Sequence, residues 1–283
     1  MILVYTTSAP PRLRYIFELM LTELVGIEYE FTHDADKFIF HTGPKFNYSE
    51  KQFGEELFFF ATQLLFEKKI RQQDLSVLDW MDTKAFFATH PKYILPFDPF
   101  AASFYMVSRY EEHLPFIKDK HDRFEASQSL AFQKGFLHKP IVNIYAKKIR
   151  EILAEAFPEL QFKDKKYEYV STIDIDNAWA FKEKGFLRTI GALLRSLSKF
   201  DFHSIVERVS VLVNKNPDPF YMYDHLFEIQ NKYKICTIYF FLLGDYAEND
   251  KNVSGSRRNF QTLIKSIADY CEVGIHPSYA SNT

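Results

Sequence analysis

The feature that most restricts the fold is the alternation of strand-like and helical segments from Lys165 onward. Three runs are rich in β-branched and aromatic residues, at 167–175, 236–246 and 273–279. Stretches with apolar residues at helical spacing lie near 186–200, 204–214, 221–233 and 257–271. Apolar strands that alternate with helices are typical of parallel strands joined by helical crossovers. We therefore predict an α/β fold with a parallel sheet for this part of the chain.

Polar residues occur where these predicted strands end. In parallel α/β sheets, functional groups gather at the carboxyl ends of the strands. Here those ends carry Asp174 and Asp176, then Asp245, then His276. Side chains alternate between faces along a strand, so Asp174 and Asp176 point the same way, roughly 6–7 Å apart. Asp245 follows Gly244 directly after a strand, and we interpret it as a turn residue.

Two carboxylates this close repel each other unless a cation lies between them. An Asp-x-Asp strand end with a histidine on a later strand end is a ligand set suited to zinc or another divalent transition metal. Such an ion activates a bound water, while a carboxylate outside its ligand sphere removes the proton. One aspartate can therefore bind the metal while the other acts as base. The same residue types also serve as hydrogen-bonded caps and turns.

Residues 1–160 read as a mixed α/β domain, and residues 161–283 as a second domain. In the first we predict a strand at ILVYTT, a helix over 12–25, short strands at EYEFT and KFIFHTG, and a helix from about Glu50 to Lys69. Asp98 followed by Pro99 is a typical helix start. An irregular stretch over 115–139 precedes a helix over 140–157, which Pro158 ends.

Composition excludes several classes of protein. The formal net charge is −2, from 35 basic and 37 acidic residues, so no electrostatic footprint favours a nucleic acid partner. No run approaches the roughly 20 apolar residues of a membrane span, and we expect a cytoplasmic protein. Cys236 and Cys271 each lie in an apolar run, which favours buried free thiols over a disulfide.

At Thr172, Asp174 and Asp176 the sequence resembles the NodB-homology polysaccharide deacetylases. The resemblance implies that Asp174 is the base and Asp176 a metal ligand, with His276 as a second ligand in a later histidine motif. FFLLGDY and GIHPSYASN resemble a bacterial subgroup of that family whose N-terminal region, here residues 1 to about 160, is a domain of unknown function. The resemblance to this family implies a (β/α) barrel, a divalent metal such as zinc, and removal of acetyl groups from a carbohydrate.

The chain departs from that family in two ways. Ala280 stands where a second histidine is usual, and the chain ends seven residues after His276. We therefore expect an incomplete deacetylase domain. Two alternatives stay open, of which one is a non-catalytic carbohydrate-binding or scaffold module on the same fold.

The other alternative is a phosphatase of the haloacid-dehalogenase type. There Asp174 would be the phosphoryl nucleophile and Asp176 the general acid, with magnesium. Asn177, Ala178 and Gly244 stand at positions where that family uses other residues.

Overall fold

The computed structural model describes residues 1–244, 250 and 252–282. The chain divides into two compact units, Met1–Lys166 and Tyr167–Thr283. The division lies six residues after the boundary predicted at residue 160. Both units are α/β with parallel strands. Asp245, interpreted above as a turn residue, lies outside the described residues.

The N-terminal unit is built on a four-stranded parallel sheet in the order β2-β1-β3-β4. Its strands and helices are β1 (Ile2–Tyr5), α1 (Pro11–Phe17) continued by a π-helix (Glu18–Val25), β2 (Tyr29–Thr32), α2 (Ala35–Phe40), β3 (Lys45–Ser49), β4 (Leu57–Phe60), an antiparallel pair β5 (Leu78–Trp80) and β6 (Thr83–Ala85), α3 (Pro99–Val107), α4 (Leu130–Gln133) and α5 (Ile141–Ala156). Aromatic side chains fill the core, where the rings of Phe17 and Phe100 stack with centroids 4.3 Å apart.

Asp98 joins the sheet to helix α3 in the predicted manner. Its Oδ1 accepts hydrogen bonds from the backbone N–H groups of Phe100 and Ala101 at 3.1 and 3.0 Å, which caps the helix. Its Oδ2 accepts hydrogen bonds from the Tyr48 hydroxyl and from the backbone and hydroxyl of Thr62. The carboxyl is fully buried, and it is matched by five donors.

Two predictions for this unit are wrong. KFIFHTG does not form a strand: Asp34 accepts hydrogen bonds from the backbone N–H groups of Asp36 and Lys37 and so starts helix α2. Residues 50–69 do not form a helix either. The aromatic run LFFF pairs with β3 as strand β4, because it completes the sheet over the aromatic core. A short 3₁₀ helix (Gln63–Phe66) follows.

The end of the N-terminal unit is tied back to its first helix. Lys163 N–H donates to the carbonyl of Gly26 at 2.8 Å. Gly26 has φ +84°, and a Cβ there would lie 2.2 Å from the Lys163 carbonyl oxygen. Arg150, on α5, pairs with Asp164 at 2.5 Å and lies over the ring of Phe162. These contacts fix the backbone well past the end of α5.

The C-terminal unit is a three-stranded parallel sheet in the order β7-β8-β9, with helices in its crossovers. Its elements are β7 (Val170–Ile175), α6 (Phe186–Ser198), α7 (Phe202–Leu212), α8 (Tyr223–Tyr233), β8 (Cys236–Leu242), α9 (Arg258–Ala268) and β9 (Glu272–His276), near the predicted positions. One sheet face buries Ile175, Tyr239 and Phe241 against Phe260 and Ile267.

The cysteine prediction is only half right. Both thiols are free, but Cys236 is exposed at the first residue of β8 and Cys271 is half-buried. Within the described part of the chain, no helix is both long enough and apolar enough to cross a membrane.

Candidate functional site

The sheet register brings two of the predicted site residues to the same face at the carboxyl end. Asp174 on β7 is level with Phe240 on β8, and Phe240 is level with Gly274 on β9. His276 lies two residues beyond Gly274 and therefore projects from the same face. This is the opposite face from the one that packs against the helices, since Ile175 and Phe241 are buried there.

Asp174 and His276 approach each other across the central strand. The Nε2 atom of His276 lies 3.8 Å from Oδ2 of Asp174. The Asp174 side chain is 59% exposed and that of His276 is 32% exposed, so solvent reaches the carboxylate more freely than the imidazole. The Nδ1 atom of His276 is buried and has no hydrogen-bond partner in the described part of the chain. The imidazole therefore has Nε2 near a carboxylate and a second nitrogen, Nδ1, that is shielded from solvent.

A glycine makes room for this arrangement. A Cβ at Gly274 would lie 2.6 Å from two ring carbons of Phe240, so the ring covers the glycine position on β9. Real Cβ atoms do not approach a ring this closely. Phe240 therefore forms an apolar surface between the strand of Asp174 and the strand of His276.

Asp176 lies directly after β7, at the start of the crossover to β8. It is exposed and makes no hydrogen bond or ion pair with any other described residue. The next residue, Asn177, has a buried Oδ1 atom without a hydrogen-bond partner in residues 1–244, 250 and 252–282. Of these two polar groups after β7, the Asp176 carboxylate is open to solvent and the Asn177 oxygen is enclosed.

Asp218 holds the segment that follows these residues. It is 3% exposed, and it accepts hydrogen bonds from the backbone N–H groups of Ala180, Phe181 and Lys182 at 2.7, 2.9 and 3.1 Å, and from that of Phe220 at 3.1 Å. Burial alone would raise the pKa of Asp218, but these backbone donors bring the pKa below its ordinary value. Asp218 is therefore an ionised anchor for the loop after β7.

The ends of β8 and β9 are also held by polar side chains. The Nδ2 atom of Asn252 donates to the carbonyls of Leu242 and Gly244 at 3.1 and 2.6 Å, and its buried Oδ1 has no partner among the residues that the structure describes. Asp250 is 3% exposed and accepts a hydrogen bond from Tyr279 N–H at 2.8 Å, which fixes the segment after His276.

Sequence reasoning missed Asn177, Asp218, Asp250 and Asn252. A signal existed for Asp218, which lies between Pro217 and Pro219 in a turn-like sequence. Asn177 was noted only as a departure from the phosphatase pattern. The hydrogen bonds of Asp250 and Asn252 depend on the packing of the strand ends, which local sequence patterns do not report.

The described donors suit a divalent metal in kind but fall short in number. Zinc binds carboxylate and imidazole groups, and the Asp176 carboxylate has no partner among the described residues. Catalytic zinc usually takes three protein ligands. Across residues 1–244, 250 and 252–282, no cluster of three or more His, Cys, Asp or Glu groups is placed to hold an ion. The pair that the structure brings together is Asp174 and His276.

A family model described as a family of unknown function (DUF7033) matches residues 2–158. No curated protein matches the chain. No solved structure matches it either. The family match lies within the N-terminal unit, so it bears on that unit and not on Asp174 or His276.

Proposed function

The chain belongs to the DUF7033 family, and we propose that its C-terminal unit is the first part of a deacetylase-type (β/α) barrel that hydrolyses acetyl groups on a carbohydrate. The observation that carries the proposal is the approach of Asp174 and His276, 3.8 Å apart at the carboxyl end of a parallel sheet. The resemblance of Thr172, Asp174 and Asp176 to the first motif of the NodB-homology polysaccharide deacetylases supplies the reaction.

The order of the strands supports the barrel. Adjacent strands in the sheet follow each other in the sequence, and each is joined to the next by helices. Barrels of alternating strands and helices are built by repeating this step in one direction. Asp174 and His276 share the face opposite the one on which Ile175 and Phe241 pack against Phe260, and in such a barrel that shared face would be the inner one.

In the proposed reaction, Asp174 is the general base. Its carboxylate is exposed enough to receive a water proton, and the adjacent imidazole of His276 limits where that water can lie. The water oxygen bonds to the acetyl carbon as Asp174 takes the water proton. The bond from that carbon to the sugar nitrogen or oxygen then breaks, and the departing atom receives this proton, so that acetate and a free amine or hydroxyl are the products. Phe240 provides an apolar surface against which the acetyl methyl group can pack.

Asp176 and His276 are the residues that would hold a divalent metal, with zinc favoured by the donor types. A bound zinc would supply an activated water and polarise the acetyl carbonyl. Asp176 is suited to this role because its side chain has no partner among the described residues, and His276 because its imidazole lies at the same end of the sheet.

The first experiment measures metal content separately from activity. The purified chain is loaded with zinc, desalted and analysed by plasma mass spectrometry, alongside the double variant Asp176→Ala, His276→Ala. Asp269→Ala is the matched control, because Asp269 is an exposed aspartate in the same unit that makes no side-chain hydrogen bond. We expect near-stoichiometric zinc in the wild type and the control, and its loss in the double variant. Equal zinc in all three proteins would refute the ligand assignment.

The second experiment measures acetate release from an N-acetylglucosamine oligomer. Asp174→Asn should keep the zinc content and lose at least 100-fold in rate, since general-base catalysis contributes about 10²–10⁴-fold. Full activity in Asp174→Asn would overturn the role of this residue. If the zinc-loaded chain releases no acetate but binds the oligomer, the non-catalytic carbohydrate-binding function replaces the deacetylase proposal.

A further inference from the structure

The N-terminal unit has a topological switch point. From β1 the chain passes to β2 on one side and then returns to place β3 on the other side of β1, with all of these strands parallel. In open parallel sheets, ligands bind in the crevice outside the carboxyl ends of the two strands where the order reverses. Here that crevice lies after β1 and β3.

A cavity of about 470 Å³ lies at this position. Its lining includes Tyr5 and Ser8 from the end of β1, Glu50 and Lys51 from the end of β3, and Gln63 after β4. Small-molecule sites typically have volumes of about 300–1,000 Å³. The cavity is therefore of ligand size and lies where the topology predicts a ligand.

The turn that carries Glu50 and Lys51 is fixed by a buried polar network. Asn47 is fully buried, and its Nδ2 donates to the carbonyl of Lys51 and to Oε1 of Glu56, both at 2.9 Å. The Ser49 hydroxyl donates to Oδ1 of Asn47 at 2.7 Å. Because the buried amide of Asn47 finds its hydrogen-bond partners within the protein, the turn holds its shape without a ligand.

The same network fixes the aromatic wall of the cavity. Glu56 accepts hydrogen bonds from the backbone N–H groups of Phe53 and Gly54 at 2.8 and 2.7 Å. The ring of Phe53 then packs edge to face against Tyr5, with centroids 4.7 Å apart and planes at 68°. Two rings from separate segments form one rigid wall.

The remaining groups determine the ligand chemistry. Glu50 accepts a hydrogen bond from the Gln63 amide, while the Lys51 ammonium forms no ion pair with any described residue. The exposed side chains of Thr7 and Ser8 add hydroxyl groups. The lining thus combines aromatic rings with hydroxyl, amide and oppositely charged groups, so it offers donors and acceptors without favouring one sign of charge.

We propose that the N-terminal unit binds a neutral sugar in this switch-point cavity. The apolar face of a pyranose ring packs against the wall of Tyr5 and Phe53, and its hydroxyl groups bond to Glu50, Lys51 and the hydroxyls after β1. The proposal does not depend on the reaction assigned to Asp174 and His276.

The test is saturation-transfer difference NMR on the full chain, with N-acetylglucosamine and its β-1,4-linked dimer as probes. Thr7→Trp places an indole in the cavity, and its control is Thr42→Trp, an exposed position before β3. Glu50→Ala removes the carboxylate, and its control is Glu159→Ala, at an exposed glutamate whose side chain makes no hydrogen bond with a described residue. Circular dichroism checks that each variant is folded.

We expect saturable transfer to one or both probes in the wild type and both controls. Thr7→Trp and Glu50→Ala should each weaken binding at least tenfold. No transfer to either probe at millimolar concentration would overturn the proposal. Undiminished transfer in Thr7→Trp would also overturn it, because the sugar would then bind elsewhere. Asp174→Asn should leave unchanged the part of the saturation transfer that Thr7→Trp removes. This keeps the result separate from that of the deacetylase experiment.

Discussion

Replacing Asp218 by alanine should destabilise the C-terminal unit selectively. The carboxylate is the common acceptor for three consecutive backbone N–H groups, those of Ala180, Phe181 and Lys182. A hydrogen bond to a charged group contributes about 1.5–3 kcal/mol, and a buried donor left without a partner costs a similar amount. The three bonds are not additive, since they share one carboxylate and the freed loop can recover water.

We therefore expect Asp218→Ala to lower the free energy of unfolding of this unit by about 3–5 kcal/mol. With a urea dependence of about 2 kcal/mol per M, the unfolding midpoint should fall by roughly 2 M. Asp218→Asn should have a smaller effect, because the amide oxygen can still accept hydrogen bonds. Some destabilisation should remain, because the NH₂ group would face backbone donors. Asp269→Ala, at an exposed aspartate without side-chain hydrogen bonds, should change stability by no more than about 0.5 kcal/mol.

The chain contains a suitable reporter for this unit. Its two tryptophans are Trp80, in the N-terminal unit, and Trp179, which is 7% exposed next to the loop that Asp218 holds. In a Trp80→Phe background, fluorescence during urea unfolding reports the C-terminal unit alone. Hydrogen exchange at the amides of 180–182 provides a second, local readout. Equal midpoints for Asp218→Ala and Asp269→Ala, with unchanged exchange at these amides, would refute the anchoring role.

Two other predictions concern the same unit. Acid should weaken it: because the pKa of Asp218 is lowered from 3.8, the stabilisation is complete above about pH 4 and is lost as the pH falls through the lower folded value. Trp179 fluorescence should show this acid loss in the wild type, and an equal acid loss in Asp218→Asn would contradict it. Gly274→Ala should cost about 1–3 kcal/mol in urea unfolding, because its Cβ would lie 2.6 Å from the Phe240 ring. Gly191→Ala, in helix α6 with open space around it, should instead stabilise by about 0.5–1 kcal/mol, and equal effects of the two changes would exclude the steric explanation.

The second half of the chain was easier to predict than the first because its elements are long and regular. Helices α6 and α9 have strongly periodic apolar residues, and β8 is an unbroken apolar run. In the first half, the short segments KFIFHTG and LFFF fit either type of element. A local cap at Asp34 determined one of them, and pairing with β3 determined the other. Pairing between distant segments leaves little trace in a short window of sequence.

The same contrast applies to the candidate site. Period-two alternation predicted that Asp174 and Asp176 share a face of their strand, and the carboxyl-end rule led to His276. The sheet register places Asp174 and His276 on one face. The support for these residues comes from far along the chain, since Asp218 lies 38 residues from Ala180. A side chain that acts at such a distance is recognised only once the packing is known. The pairing of Asp176 with a metal stays a prediction.

The contacts that tie Lys163 to Gly26 affect how this protein can be divided for study. The family match ends at residue 158. A fragment that ended there would lose the Phe162 ring that packs under Arg150 and the Asp164 carboxylate that pairs with it. It would also leave the Gly26 carbonyl without the backbone donor that it has in the whole chain. Expression boundaries taken from the sequence match would thus remove part of the folded unit, whereas a boundary at Lys166 keeps every one of these contacts.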